Sequence, residues 1–217
     1  MSVQAKICGI TTDVALDAAL EGGATYVGLV FFPRSPRYVD VATAKRLAER
    51  ARGHTKIVAL VVDADDALVR DINEAVRPDL FQLHGKETPQ RVAEVARITG
   101  RPVIKAIAVA NEDDTVRAET YGTVAHLILF DAKPPSNPNA LPGGNGLTFD
   151  WSLIASVSDR VPYMLSGGLT PQNVVEAIRQ TAARAVDVSS GVESTPGVKD
   201  PELIRRFLDA VNTVKHI

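Results

Sequence analysis

Residues 163–178 read YMLSGGLTPQNVVEAI and contain one complete strand-to-helix unit. The short apolar run YML is followed by the glycine turn SGGL and then by Thr170-Pro171, a capping residue with proline just inside a helix start. In the segment NVVEAI the apolar residues fall on one helical face. This stretch therefore predicts a strand, a tight turn and a helix that begins after Thr170-Pro171 and covers one side of a sheet.

The same pattern recurs along the chain. Eight apolar runs, each followed by a segment with apolar residues at helical spacing, are centred on Lys6, Gly28, Ala59, Phe81, Lys105, Leu129, Met164 and Val186. Strands that alternate with helices pair in parallel. An open doubly wound sheet would satisfy this pattern, but a count of eight favours a closed (β/α)8 TIM barrel. Because no linker divides the chain, we expect one domain over residues 1–217.

Other helix starts carry the same signal of a capping residue, with proline next in two cases. These capping residues are Thr12, Thr88, Asp150 and Asp200. A helix over residues 111–120 has the weakest pattern. Two connections, 32–40 and 133–148, are longer than the others. In a barrel both would lie at the carboxyl ends of the strands, where such enzymes place their active sites.

Composition excludes several classes of protein. The chain has 217 residues, of which 45% are hydrophobic and 23% charged, with a formal net charge of −2. It therefore has no basic excess that would attract a nucleic acid. The longest apolar runs, 27–32 and 57–62, are far shorter than the roughly 20 residues that span a bilayer. With one cysteine and no visible export signal, we expect a cytoplasmic protein that forms no internal disulfide.

Two candidate catalytic residues end predicted strands. Cys8 precedes a helix start, and a helix N-terminus would lower the pKa of its thiol, although lone cysteines are commonly packing residues. Asp131 follows the apolar run 127–130. Burial of an ionised carboxylate is costly, so Asp131 would favour the protonated form that suits a general acid, or it could simply cap a loop.

Candidate anion-binding residues occur in several loops. Arg34 and Arg37 lie in the loop 32–40, and a guanidinium can hold a carboxylate or phosphate, although solvated surface arginines are equally common. Glycines late in the chain would let backbone N–H groups approach an anion, and two of their segments follow strands seven and eight, where barrels commonly bind phosphate. The predicted phosphate-binding residues are Gly144, Gly146, Gly167, Gly168, Ser190 and Gly191.

Among the histidines, His84 stands at a clear strand end, where it could contact a substrate or bond to the loop backbone. A catalytic metal site usually needs three converging His, Asp or Glu ligands. The sequence shows no such set, so we predict no metal.

An ordered series of motifs spans nearly the full chain. They are KICG at 6–9, SPR at 35–37, QLHG at 82–85, GGNG at 143–146 with FDW at 149–151, SGGL at 166–169, and DVSSGVE at 187–193 with PGVKD at 196–200. Together with Asp131, this set resembles phosphoribosylanthranilate isomerase, a single-domain (β/α)8 enzyme family of tryptophan biosynthesis. One departure is Asn145, where the family more often has threonine.

The resemblance implies an Amadori rearrangement of N-(5-phosphoribosyl)anthranilate without a cofactor. It assigns Asp131 as general acid, Cys8 as general base and Arg37 as the anchor for the substrate carboxylate. The late glycine loops would hold the phosphate, and Asp187 would support the site or contact the substrate. The expected partner is this small phosphosugar-anthranilate molecule, with no nucleic acid and no membrane, and the expected state is a monomer or homodimer.

Four alternatives remain open at this point. A pentose-phosphate epimerase would need metal ligands at strand ends, and indole-glycerol-phosphate synthase would need catalytic lysines, for which Lys6 and Lys105 are candidates. A non-catalytic phosphosugar sensor would need neither a thiol nor a buried acid. A related isomerase of histidine biosynthesis normally carries an aspartate where this chain has Cys8, so Cys8 favours the anthranilate substrate.

Overall fold

The computed structural model describes residues 2–135, 141–154 and 160–214. Eight parallel strands follow one another in chain order and close into a barrel, because β1 pairs with both β2 and β8. The strands are β1 Gln4–Cys8, β2 Tyr26–Val30, β3 Lys56–Val61, β4 Leu80–Leu83, β5 Val103–Val109, β6 Leu127–Ala132, β7 Tyr163–Leu165 and β8 Ala185–Val188. The predicted TIM barrel is confirmed, and every predicted strand centre lies within a strand.

Seven α-helices occur in the described part of the chain. They are α1 Asp13–Glu21, α2 Val41–Ala51, α3 Asp66–Ala75, α4 Pro89–Thr99, α5 Glu112–Arg117, α6 Val174–Thr181 and α7 Pro201–Asn212. The side chains of Thr12, Thr88 and Asp200 accept hydrogen bonds from first-turn amides, as predicted for N-caps. The weakly patterned helix over 111–120 forms as α5 and continues into a 3₁₀ turn at Ala118–Tyr121.

The structure differs from one predicted helix, α6. Helix α6 begins at Val174, three residues later than Thr170-Pro171 predicts, because residues 171–173 form a turn. In that turn the Asn173 side chain accepts from the amide of Thr170 at 2.7 Å and donates to the carbonyl of Gly168 at 3.0 Å. Between β6 and β7, Asp150 Oδ1 accepts from the Ser152 amide at 3.0 Å and Trp151–Ile154 forms a 3₁₀ turn; the predicted helix would continue over 155–159, which lie outside the described residues.

Alternation along each strand separates structural from functional side chains. On β1, Ile7 packs into the core between the barrel wall and the helices, whereas Cys8 belongs to a separate cluster with Val30 and Leu60. A further apolar layer fills the barrel interior, with Val58, Leu80, Ile104, Leu129 and Met164 among its members. After β8, two short antiparallel strands, β9 Glu193–Thr195 and β10 Val198–Lys199, form a hairpin.

Candidate active site

A pocket with about 740 Å³ of empty space opens at the carboxyl ends of the barrel strands. Of the candidates named from the sequence, Arg34, Lys6 and Lys105 do not line this pocket, whereas the following residues do: Cys8, Arg37, His84, Asp131, Gly144, Gly146, Gly167, Gly168, Asp187, Ser190 and Gly191. The long connections 32–40 and 133–148 also contribute to it, although 136–140 lies outside the described residues.

Cys8 ends β1 and is 4% exposed. Burial raises the pKa of its thiol, the Lys6 ammonium opposes that rise, and the Asp187 carboxylate adds to it. The lowered pKa predicted from a helix N-terminus is therefore wrong. Helix α1 begins only at Asp13, and Thr12 already bonds to a first-turn amide of that helix.

A buried ion pair lies one layer below the thiol. Lys6 Nζ is 2.8 Å from Asp187 Oδ1, and the lysine side chain is fully buried. The two residues are register partners on β1 and β8, so both side chains point into the barrel. Ser166 Oγ donates to Asp187 Oδ2 at 3.4 Å. Lys6 does not line the pocket, which argues against the catalytic lysine that indole-glycerol-phosphate synthase would need.

Asp131 lies at the opposite wall of the barrel, on β6, and is 7% exposed. Its Oδ1 accepts from the Ala132 amide at 2.9 Å, and its Oδ2 is 3.3 Å from His84 Nε2. Gln82 Nε2 is 2.9 Å from His84 Nδ1. The donor and acceptor roles in this contact depend on the tautomer of His84, and Gln82 Oε1 is buried with no hydrogen-bond partner among the described residues. The His84 side chain therefore contacts the candidate acid and not the loop backbone.

Arg37 is held in the pocket by a carboxylate that the sequence reasoning did not select. Its Nε and Nη2 donate to the two oxygens of Glu193 at 2.7 and 2.8 Å, and Nη2 also donates to the carbonyl of Gly144. Lys199 bonds to the same Glu193. Burial alone would raise the pKa of Glu193, but Arg37 and Lys199 outweigh it and lower that pKa. Arg34 is exposed and does not line the pocket.

The glycine loops after β7 and β8 come together on one side of the pocket. At Gly191 a Cβ would lie 1.9 Å from the carbonyl oxygen of Leu169, so only glycine permits this approach. The amides of Gly167 and Gly168 donate to no other described residue and line the pocket. The later start of α6 removes the expected helix N-terminus next to Gly168, so backbone amides of the loops are the donors that remain.

Within residues 2–135, 141–154 and 160–214, no group of three or more His, Cys, Asp or Glu side chains could hold a metal ion. None of the helices in the same residues is long and apolar enough to cross a membrane.

Comparison with known proteins identifies the family. The family model of N-(5'-phosphoribosyl)anthranilate isomerase matches residues 5–210. The chain belongs to the phosphoribosylanthranilate isomerase family. The N-(5'-phosphoribosyl)anthranilate isomerase of Rhodopseudomonas palustris is 52% identical over 217 residues, which cover 100% of this chain and 99% of that relative.

Two solved structures of phosphoribosylanthranilate isomerases superpose closely. Monomers generated from the dimeric Thermotoga maritima enzyme are 37% identical with a TM-score of 0.85, over 98% of this chain and 100% of that one. A complex with reduced 1-(o-carboxyphenylamino)-1-deoxyribulose 5-phosphate is 36% identical with the same TM-score of 0.85 and the same coverage, 98% and 100%. The chain is thus an isomerase of tryptophan biosynthesis.

Proposed function

We propose that the pocket converts N-(5-phosphoribosyl)anthranilate into 1-(2-carboxyphenylamino)-1-deoxyribulose 5-phosphate by an Amadori rearrangement. The observation that carries this proposal is the joint placement of Cys8 and Asp131 in one pocket whose rim holds Arg37 and the glycine loops. The family membership and the analogue bound by a related enzyme support the same substrate class. The reaction is an isomerisation, so no external oxidant or reductant is needed.

In the first step Asp131 acts as the general acid. It transfers a proton to the furanose ring oxygen while the C1–O bond breaks, and the nitrogen lone pair forms a C1=N bond, which gives an open Schiff base. The contact of His84 Nε2 with Asp131 Oδ2 holds the carboxyl group in the pocket. A carboxyl group whose orientation is fixed before the substrate binds would favour proton transfer.

In the second step the Cys8 thiolate removes the proton from C2. The electrons of the C–H bond form a C1=C2 bond, and the electrons of the C=N bond return to nitrogen, so an enolamine results. The C2 hydroxyl then loses its proton while C1 gains one, which yields the ketone. C1 is reduced and C2 oxidised by the same amount, so the product is an isomer of the substrate.

Two anchors would orient the sugar between these groups. Arg37 Nη1 bonds to no described residue, which leaves it available for the anthranilate carboxylate. Amides of the glycine loops, together with Ser190, would bind the phosphate at the other side. Asp187 bonds to Lys6 and supports the floor of the site. Remote anchors lower the barrier by positioning the reacting carbon atoms.

The proposal extends to the rest of the molecule. One catalytic domain works without a cofactor or metal on a small phosphosugar-anthranilate substrate, as a monomer or homodimer in the cytoplasm. Family membership and the closed barrel support this reading, since all the candidate groups come from a single barrel.

The direct test is a fluorescence assay for loss of phosphoribosylanthranilate generated in situ, with EDTA present. We expect rapid loss of signal and formation of the ribulose 5-phosphate product. Absence of turnover by the folded protein would reject the proposed function, and turnover that EDTA abolishes would reject metal independence.

Arg37→Ala should raise KM by on the order of 10-fold, with a smaller change in kcat, because the substrate loses a charged anchor remote from the reacting atoms. The matched control is Arg34→Ala, which removes an exposed arginine from the same loop. Steady-state kinetics of both variants check this. If Arg37→Ala leaves KM and kcat unchanged, Arg37 does not bind the carboxylate.

Gly168→Ala should raise KM by on the order of 10-fold and weaken inhibition by inorganic phosphate, since the phosphate loop would be displaced. A Cβ there would lie 2.5 Å from Thr148 and 2.8 Å from Leu147. Gly100→Ala is the control, because Gly100 has nearly the same left-handed φ, +65° against +64°, but open space around it. Both substitutions cost about 1 kcal/mol of backbone strain. An equal KM in the two variants would contradict the phosphate assignment.

A further inference from the structure

The proposed mechanism gives no part in the proton transfers to the buried Lys6–Asp187 pair below the pocket. Two buried charges are costly to keep in a protein interior, and an apolar pair of similar volume would often serve stability equally well. Lys6 lies on the same strand as Cys8, two residues before it, and is the charged residue of that strand. Its position suggests a task connected with the thiol.

The buried position of Cys8 makes ionisation of its thiol unfavourable. A general base must first lose its proton, but burial disfavours a thiolate at this site and raises the pKa of Cys8. Helix α1 begins only at Asp13, and among the described residues no backbone amide donates to Cys8 Sγ. A nearby fixed cation is the remaining way to stabilise the anion.

The backbone brings Lys6 and Cys8 together. Both side chains point into the barrel from β1, and Gly28 on β2 is the register partner of Cys8. A Cβ on Gly28 would lie 2.9 Å from Cys8 Sγ and 3.2 Å from Lys6 Nζ, so the sulfur and the ammonium converge on the space that this glycine leaves open. A side chain at position 28 would therefore have to displace the sulfur or crowd the ammonium.

The two other charged groups that affect the pKa of Cys8 are each paired with another residue. On β8, Asp187 binds Lys6, and its negative charge opposes a thiolate. On β10, Lys199 binds Glu193 and gives only the weakest of the interactions that favour the thiolate. The remaining charged or titratable side chains that line the pocket with Cys8 are Arg37, His84 and Asp131. Burial would lower the pKa of Lys6, but Asp187 and Cys8 outweigh it and raise that pKa, so the ammonium persists.

We propose that Lys6 is a positioning residue for the reaction: held by Asp187, it keeps a positive charge against Cys8 Sγ and so permits a thiolate inside the barrel. This inference rests on the proposed role of Cys8 as the base. Lys6 does not line the pocket, so it acts through Cys8 and not on the substrate.

The test is the pH dependence of Cys8 alkylation by iodoacetamide, an uncharged probe, in the full-length wild type and in Lys6→Met. Cys8 is the only cysteine of the chain, so mass spectrometry reports this thiol alone. We expect the Lys6→Met profile to shift upward by about one pH unit or more, so that alkylation near pH 7 is about 10-fold slower. In turnover, kcat should fall at neutral pH and recover at higher pH, with KM unchanged.

Lys105→Met is the matched control. Lys105 is also a buried barrel lysine with a carboxylate partner, Glu87 at 2.8 Å, but it does not line the pocket and belongs to another strand, β5. Lys105→Met should destabilise the barrel about as much as Lys6→Met does. Its pH profile of Cys8 alkylation should nevertheless match that of the wild type. A shift of the same size in Lys105→Met would mean that disruption of the barrel, and not the charge of Lys6, moves the profile.

If Lys6→Met does not fold, the double variant Lys6→Met with Asp187→Asn removes both charges and leaves no unpaired carboxylate. Its profile should shift in the same direction but less, because Asp187 opposes the thiolate. An unshifted profile in either folded variant overturns the inference. The alkylation result is independent of turnover: a shift in a protein that lacks isomerase activity would reject only the proposed function, whereas activity without a shift would reject only this role of Lys6.

Discussion

Cys8→Ala should leave a folded barrel whose kcat is lower by on the order of 10²-fold or more. The methyl group cannot accept the C2 proton, while the carboxylate and phosphate anchors stay in place, so KM should change little. Steady-state kinetics of the purified variant provide the measurement. A kcat near that of the wild type in a folded Cys8→Ala protein would exclude Cys8 as the base.

Val30→Ala is a suitable control for this substitution, because Val30 packs in the same small apolar cluster as Cys8 and lines the same pocket. It removes apolar volume next to the site but keeps the thiol. We expect both variants to lose thermal stability and only Cys8→Ala to lose most of its kcat. A comparable loss of kcat in Val30→Ala would point to packing as the cause.

The pH dependence of the wild type follows from the same thiol. Burial raises the pKa of Cys8, so at neutral pH the thiol form predominates and the thiolate fraction grows about tenfold per pH unit below that pKa. Over the pH range in which Asp131 stays protonated, kcat/KM should therefore rise with pH, and Cys8→Ala should lose this dependence. A profile that falls with rising pH across that range would contradict thiolate catalysis.

Asp131→Asn should reduce kcat by on the order of 10²-fold or more, because an amide has nearly the shape of the carboxyl group but no acidic proton for the ring oxygen. Its oxygen can still accept from the Ala132 amide, as Asp131 Oδ1 does, so the fold should persist. Kinetics should show a reduced kcat with a similar KM. Wild-type kcat in the folded variant would remove Asp131 from the acid role.

Two further measurements separate chemistry from structure in this variant. Binding of reduced 1-(o-carboxyphenylamino)-1-deoxyribulose 5-phosphate, the molecule bound in a related structure, should be nearly unchanged, since the analogue is already ring-opened. Asp114→Asn is the matched control, because Asp114 is also buried and accepts from a backbone amide, that of Ala110, but does not line the pocket. Its kcat should stay near that of the wild type.

Much of the fold followed from local patterns. Strands buried on both faces appear in the sequence as short continuous apolar runs, and Thr12, Thr88 and Asp200 mark helix starts because their side chains satisfy first-turn amides. The start of α6 was missed because Thr170-Pro171 carries the same local signal. There the Asn173 side chain bonds back to the loop and keeps residues 171–173 in a turn.

The sequence predicted those site residues that lie at the ends of predicted strands. Cys8 and Asp131 end predicted strands, and parallel strands of a closed barrel bring their carboxyl ends to one face, so their meeting in one pocket follows from topology. Glu193 was missed because its partner Arg37 is 156 residues away along the chain, and no local pattern connects them. The same holds for Lys6 and Asp187, which are register partners across β1 and β8.

Some features depend only on residues within a few positions of one another, so they can be predicted from the amino-acid sequence. These are the number of strands, the helix caps, the glycine turns and the candidate site residues. The charge environment is different. Whether a helix end or a buried ammonium faces Cys8 depends on the closure of β1 against β8 and on the space at Gly28. Electrostatic free energy is set by distance and burial, and both are properties of the folded barrel that sequence separation does not encode.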